Sequence, residues 1–140
     1  MESHHSLDAT LANLNAQVEG TYVFATTDTV PAGLEPFAVI REAEGLTLIV
    51  EAVEAARYGL DCSKKFARIQ PAAVTELVSV GLTATIAQTI ASRGIPCNVI
   101  AGFFHDHFFV PAGKAQEVVG MLANLSQQAR GWLVEESEDE

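Results

Sequence analysis

The sequence predicts an α+β fold in which helices cover one face of an antiparallel sheet. Two observations support this prediction. Short runs rich in β-branched and aromatic residues alternate with turn residues in the first half, and helices with clear apolar periodicity occur in the second half. From residue 65 onward the predicted order is strand, helix, strand, strand, helix and closing strand. That order is the βαββαβ ferredoxin-like plan.

Local patterns define the elements of the first half. Apolar residues at steps of three and four predict an N-terminal helix, and Pro, Gly and acidic turn residues separate the β-rich runs that follow. We expect these runs to form an antiparallel meander. The predicted elements are a helix at 7–17 with Ser6 as N-cap and Gly20 as terminator, strands at 21–26, 37–41 and 46–50, and a short helix at 51–58.

The second half has stronger signals. Leu82, Ile86 and Ile90 recur every four residues, and Gly94 with the following proline supplies a helix stop. The predicted elements are a strand at 66–69, a helix at 82–93, strands at 98–101 and 108–110, a helix at 113–129, a closing strand at 132–134 and a disordered acidic tail at 135–140.

Composition restricts the classes of function. The chain has 140 residues with 18 acidic against 8 basic side chains and a formal net charge of −10. An acidic chain of this kind disfavours nucleic-acid binding. Its one basic cluster, Arg57, Lys64, Lys65 and Arg68, is interpreted as a solvated face rather than a phosphate site.

Cysteine usage and hydropathy predict a cytoplasmic protein. Cys62 and Cys97 stand far apart without a CxxC motif, and the polar N-terminus contains no apolar secretory segment. The longest uncharged run, residues 77–92, is too short and too polar to cross a bilayer. We therefore expect no membrane role.

Two arrangements could carry chemistry, and neither favours an enzyme. His105 and His107 would share a face of an extended strand, but a zinc site needs at least a third ligand, so we expect no metal and interpret Asp106 as a turn-forming residue. Cys97 could act as a nucleophile beside a histidine. An isolated cysteine in an apolar strand is more often a core residue, so no catalytic residue is predicted.

The segment that leads into the second-half helix is more informative. Gly81 stands at the helix start, where a missing side chain lets a ligand approach and where the backbone N–H groups of the first turn are unpaired. Such a position suits a carboxylate. The alternative is a glycine N-cap that binds nothing.

Three segments together carry a resemblance to a known family. They are Val80-Gly81-Leu82-Thr83-Ala84, Arg93-Gly94-Ile95-Pro96-Cys97-Asn98-Val99 and His105-Asp106-His107-Phe108-Phe109-Val110-Pro111. In this order they resemble ACT domains. The chain is also similar to small bacterial proteins with two ACT-like repeats, on the segment Glu42-Ala43-Glu44-Gly45-Leu46-Thr47-Leu48-Ile49.

The resemblance implies two tandem ACT-like repeats packed together, an N-terminal one at 1–64 and a C-terminal one at 65–134. It further implies a ligand site like that of the cytosolic arginine sensors, which hold a free amino acid between two ACT domains. The loop would surround the amino-acid head group and Asp106 would face a cationic part. The implied ligand-binding residues are Glu76, Ser79, Val80, Gly81, Leu82, Thr83 and Asp106.

Two classes of function are compatible with these sequence features. The first is a regulatory or sensor module that binds a small molecule such as a free amino acid, without catalytic activity and without a cofactor. The second is a structural or partner-binding ACT module with no ligand. We expect no output domain in this sequence, so a regulated partner protein is implied, and exposed sheet edges favour a homodimer.

Overall fold

The structure of the protein, a computed structural model, describes residues 4–72 and 81–138. A short 3-10 turn at 112–114 precedes the last helix. The elements are, in order, α1 (His4–Ala12), β1 (Gln17–Thr27), β2 (Ala38–Glu42), β3 (Gly45–Glu51), α2 (Ala52–Arg57), β4 (Phe66–Gln70), α3 (Leu82–Ala91), β5 (Asn98–Ala101), β6 (Asp106–Pro111) and α4 (Ala115–Glu138).

All six strands belong to one curled antiparallel sheet with the order β2-β3-β1-β4-β6-β5. The central pair is β1 and β4, which align Tyr22 with Phe66 and Val18 with Ile69. The α+β, ferredoxin-like prediction is therefore confirmed. The sheet is continuous across the expected boundary at residue 64, and the division into two repeats stays a prediction.

Strands β1 and β4 each take part in two overlapping sets of four strands. A ferredoxin-like sheet places its four strands, numbered along the chain, in the order 4-1-3-2. Strands β1 to β4 follow this rule, because they lie in the order β4-β1-β3-β2. The order β1-β4-β6-β5 gives the same arrangement for the second half, with β1 in the place of its fourth strand. The two halves are thus interlocked through their shared central pair.

The face of the sheet that the helices cover carries the larger core. Ala67 of β4 pairs with Thr21 of β1, and Val23 lies two residues further along β1, so all three share the helix-covered face. One cluster joins α1, α3 and α4 to β4 and β6, and Phe108, Val110 and Ile86 are fully buried within it. A smaller cluster beneath α2 joins β1 to β3.

The opposite face carries an aromatic cluster. Tyr22, Ile49 and Phe109 are its buried members, with Phe37 and Phe66 packed against them. The ring of Phe37 meets those of Tyr22 and Phe109 edge to face at centroid distances of 5.4 and 5.9 Å. Because Phe37 precedes β2, the chain before this outer strand closes over the curled sheet.

Several predictions in the first half are wrong in detail. Helix α1 begins at His4, so Ser6 is not its N-cap, and it ends at Ala12 rather than 17. Gly20 lies inside β1, where the pairing with β4 shifts register and its φ of +116° suits glycine. The three strands do not form a simple meander, since β1 pairs with β3 and leaves β2 at the edge.

The predicted closing strand at Trp132-Leu133-Val134 is also wrong. These residues belong to α4, because the place beside β4 is already taken by β1. Residues 135–138, where we expected a disordered tail, continue α4, and 139–140 lie outside the described residues. Within the described part of the chain, no helix combines the length and the apolar character needed to cross a bilayer.

Candidate functional site

The start of α3 is shaped by Gly81. Its backbone has φ +99° and ψ −29°, a conformation that side chains disfavour, and its carbonyl accepts a hydrogen bond from the Thr85 N–H at 2.8 Å. A Cβ added at Gly81 would lie 3.3 Å from Cδ2 of Leu7 in α1. The helix start is therefore flanked by the first helix of the chain.

Asp106 lies beside this helix start. It is the first residue of β6, aligned with Ala101 of β5, and only 5% of its surface is exposed. Its Oδ2 accepts a hydrogen bond of 2.5 Å from the Thr83 hydroxyl. The lysine and arginine ion pairs within the described residues do not involve Asp106.

The structure thus brings together part of the predicted set. Gly81, Leu82 and Thr83 form the first turn of α3, and Thr83 contacts Asp106. Leu82 is 5% exposed and points into the core, so its contribution to a site would come from its backbone. Glu76, Ser79 and Val80 lie outside the described residues.

His107 faces the other side of the sheet from Asp106. Its Nδ1 lies 3.1 Å from Nη1 of Arg68, and its ring meets Phe37 edge to face at 5.0 Å. Burial lowers the pKa of His107, and the Arg68 guanidinium lowers it further. Because a guanidinium can only donate, Nδ1 acts as the acceptor, and this contact favours the neutral ring.

Arg68 was missed as a structural residue by the sequence reading. Its guanidinium lies over the Phe37 ring at 4.6 Å and over the Tyr22 ring at 5.3 Å, so it does not belong to a solvated basic face. Nη1 also donates to Gln70 Oε1, and Nη2 donates to the Glu19 carbonyl. Alternation along β4, which places Arg68 on the same face as Phe66, was the available signal.

The two alternative chemistries gain no support from the geometry. No group of three or more histidine, cysteine, aspartate or glutamate side chains suited to a metal ion occurs among residues 4–72 and 81–138. Burial raises the pKa of the Cys97 thiol to about 11, which opposes thiolate formation. Cys97 instead packs against the core beneath the helices.

Comparison with known proteins finds one matching domain family and several solved structures that are similar to this chain. A family profile described as an ACT domain matches residues 3–67. A solved structure from Vibrio cholerae, described as a protein of unknown function and possible transport protein, is 40% identical; the match covers 82% of this chain and 92% of that chain with a TM-score of 0.73. No curated protein matches the chain.

Two more distant structures share the fold alone. An Agrobacterium tumefaciens protein is 16% identical, with 76% of this chain and 84% of that chain covered and a TM-score of 0.63. The regulatory subunit of aspartate kinase from Thermus flavus is 11% identical, with 79% and 94% covered and a TM-score of 0.52. The family profile identifies residues 3–67 as an ACT domain, and the order of the strands is that of the ferredoxin-like fold.

Proposed function

We propose that this chain is a regulatory module that binds a free amino acid or a similar small molecule where α3 and β6 begin, and that it performs no reaction of its own. ACT domains are regulatory modules that bind small ligands. The observation that supports this position is the carboxylate of Asp106, which is almost fully buried with a neutral hydroxyl as its hydrogen-bond donor. A buried charge is costly without a cationic partner, and a ligand ammonium or guanidinium group would supply one.

The neighbouring backbone would hold the other end of such a ligand. Gly81 has no side chain over the first turn of α3, so it offers no side-chain cap to the N–H groups of that turn. These N–H groups and the positive end of the helix dipole favour a carboxylate. An amino acid with a basic side chain carries both of the charges that this arrangement favours.

A thermal-shift screen of the twenty amino acids, followed by calorimetry, tests the proposal. Asp106→Asn should weaken a cationic ligand by roughly ten- to more than a hundredfold, because a hydrogen bond to a charged group contributes about 1.5–3 kcal/mol. The stability of the empty protein should not fall, since Asn keeps an acceptor for Thr83 and removes a buried charge that has no cationic partner there. Glu117→Gln, which removes a half-exposed carboxylate of α4, is the control with the same change in net charge.

The result decides between ligand binding and turn formation at Asp106. At a ligand concentration of about a hundred times its dissociation constant, the wild type should be stabilised by about 2.7 kcal/mol. Most of this gain should disappear in Asp106→Asn and persist in Glu117→Gln. A screen without any hit, or an Asp106→Asn protein that binds as tightly as the wild type, would remove the site.

Partner binding is a second candidate, favoured by exposed apolar side chains. Phe103 and Phe104, between β5 and β6, are 71% and 62% exposed, and Val39 and Ile40 on the edge strand β2 are 46% and 40% exposed. An unpaired sheet edge is a template for another strand. We propose a homodimer through β2 and a regulated partner protein, both acting in the cytoplasm.

Sedimentation velocity of the wild type and of Ile40→Lys tests self-association. A charge on this edge strand should shift a dimer toward the monomer without unfolding the chain, because Ile40 lies outside the buried core and is 40% exposed. A wild type that sediments as a monomer at every concentration would refute the dimer. It would leave the ligand site unaffected.

A further inference from the structure

Asp106 and His107 are neighbours in β6 whose side chains point to opposite faces of the sheet. Asp106 meets Thr83 on the helix-covered face, and His107 meets Arg68 and Phe37 on the aromatic face. Successive residues of a strand alternate between the faces, so these two titratable groups are separated by the thickness of one strand. Their charges interact across protein rather than across bulk water.

Three charged or titratable groups of the described residues act on His107. The charged and titratable groups that act on it are Arg68 from β4, and His105 and Asp106 from its own strand. From β5 the aligned residue is the apolar Ile100, and the loop before β2 contributes the uncharged ring of Phe37. Asp106 is the one group of this set that favours the protonated ring.

Protonation of His107 changes two contacts at once. The new proton on Nδ1 removes the acceptor that Arg68 Nη1 uses at 3.1 Å. It also places a positive charge behind Asp106, on the side away from Thr83. A cationic ligand would then meet a carboxylate that is already partly compensated.

We propose that His107 makes ligand binding at Asp106 sensitive to pH, so that a cationic ligand binds more weakly once His107 is protonated. This inference rests on the proposed function, because it concerns the same site. Linkage makes the effect reciprocal: a bound cation removes the influence of Asp106 and so opposes protonation of His107. Each unit by which the ligand lowers the His107 pKa corresponds to a tenfold difference in affinity between the two protonation states.

Calorimetric titrations with L-arginine, L-lysine and the neutral L-leucine, from about pH 5 to about pH 8, test the inference. The wild type should bind a cationic amino acid severalfold, up to roughly tenfold, more weakly at the acidic end. His107→Gln keeps a neutral side chain with an oxygen that can accept from Arg68, and it should lose most of this dependence. His105→Gln is the matched control and should keep it.

A measurement on the empty protein tests the coupling without any ligand. The His107 pKa, followed by NMR, should be lower in Asp106→Asn than in the wild type, because the carboxylate favours the protonated ring. An unchanged His107 pKa in Asp106→Asn overturns the inference. So does a cationic amino acid that binds equally well across the pH range, or a pH dependence that survives in His107→Gln.

These outcomes separate the inference from the proposed function. Binding of a cationic amino acid without pH dependence leaves the site in place and removes the role of His107. If none of the three amino acids binds at any pH, both cation binding at this site and its pH dependence through His107 are refuted. The NMR titration then still reports whether Asp106 and His107 interact.

Discussion

Replacing Gly81 by alanine tests the geometry of the helix start. Its φ of +99° is a conformation that costs a residue with a Cβ about 1–2 kcal/mol. The new Cβ would also approach Cδ2 of Leu7 to 3.3 Å, which is tighter than ordinary contact. We expect Gly81→Ala to lower the free energy of unfolding by about 2 kcal/mol, as the strain adds to this contact.

Two further variants separate the strain from the contact. Gly94, which follows α3, has φ +72° and nothing within 4 Å of an added Cβ, so Gly94→Ala carries the strain alone and should cost less than Gly81→Ala. The double variant Leu7→Ala with Gly81→Ala should lose less free energy of unfolding than the two single variants lose in sum. The truncated Leu7 side chain leaves room for the new methyl group. Urea unfolding followed by circular dichroism measures each free energy.

Binding completes this test. The bulkier Gly81→Val should abolish ligand binding in a protein that still folds, because its side chain would occupy the approach to the backbone N–H groups. A Gly81→Ala protein as stable as the wild type would refute the positive φ at this residue. Unchanged affinity in Gly81→Val would remove the helix start from the site.

Three other predictions follow from the packing. Burial and Arg68 hold the folded-state pKa of His107 below the unfolded value of about 6.5, so its contribution to stability is complete above that pH and is lost as the pH falls below it; acid unfolding of His107→Gln should show a smaller loss. Gly120→Ala and Gly131→Ala should each stabilise α4 by up to about 1 kcal/mol in thermal melts, because a Cβ meets nothing within 4 Å at either position. With Cys62 changed to Ser, Cys97 should react slowly with iodoacetamide at neutral pH and rapidly once unfolded, since its pKa is raised to about 11 by burial.

Local patterns predicted most of the elements. Helix α3 begins at Leu82 as expected, and β5 covers Asn98–Ala101 as expected. In both places the signal is short-range, since helical periodicity and β-rich runs bounded by turn residues act within a few residues. The antiparallel sheet with helices on one face followed from the same signals.

The order of the strands could not be read from local patterns. The expected closing strand at Trp132–Val134 has a β-rich composition, yet α4 continues through it. What decides this segment is a contact distant in sequence, because β1 already pairs with β4 at that side of the sheet. Tertiary pairing of this kind overrides local propensity.

The candidate site also contains features that could be predicted from the sequence and features that could not. The helix start at Gly81 and the hairpin residue Asp106 were marked by residue type, and the structure places Thr83 of that helix in contact with Asp106. The pairing of Arg68 with His107 was missed, because it joins β4 to β6 and depends on register. Residue type locates single groups, whereas register determines which of them meet.

Strand β6 links the two faces of the sheet. Phe108 and Val110 lie in the core beneath the helices, while Phe109 lies in the aromatic cluster, and all three are fully buried. A strand packed on both sides has little room to move, because such interiors are as dense as organic crystals. A change in charge at Asp106 would therefore reach His107 as an electrostatic effect rather than as a displacement.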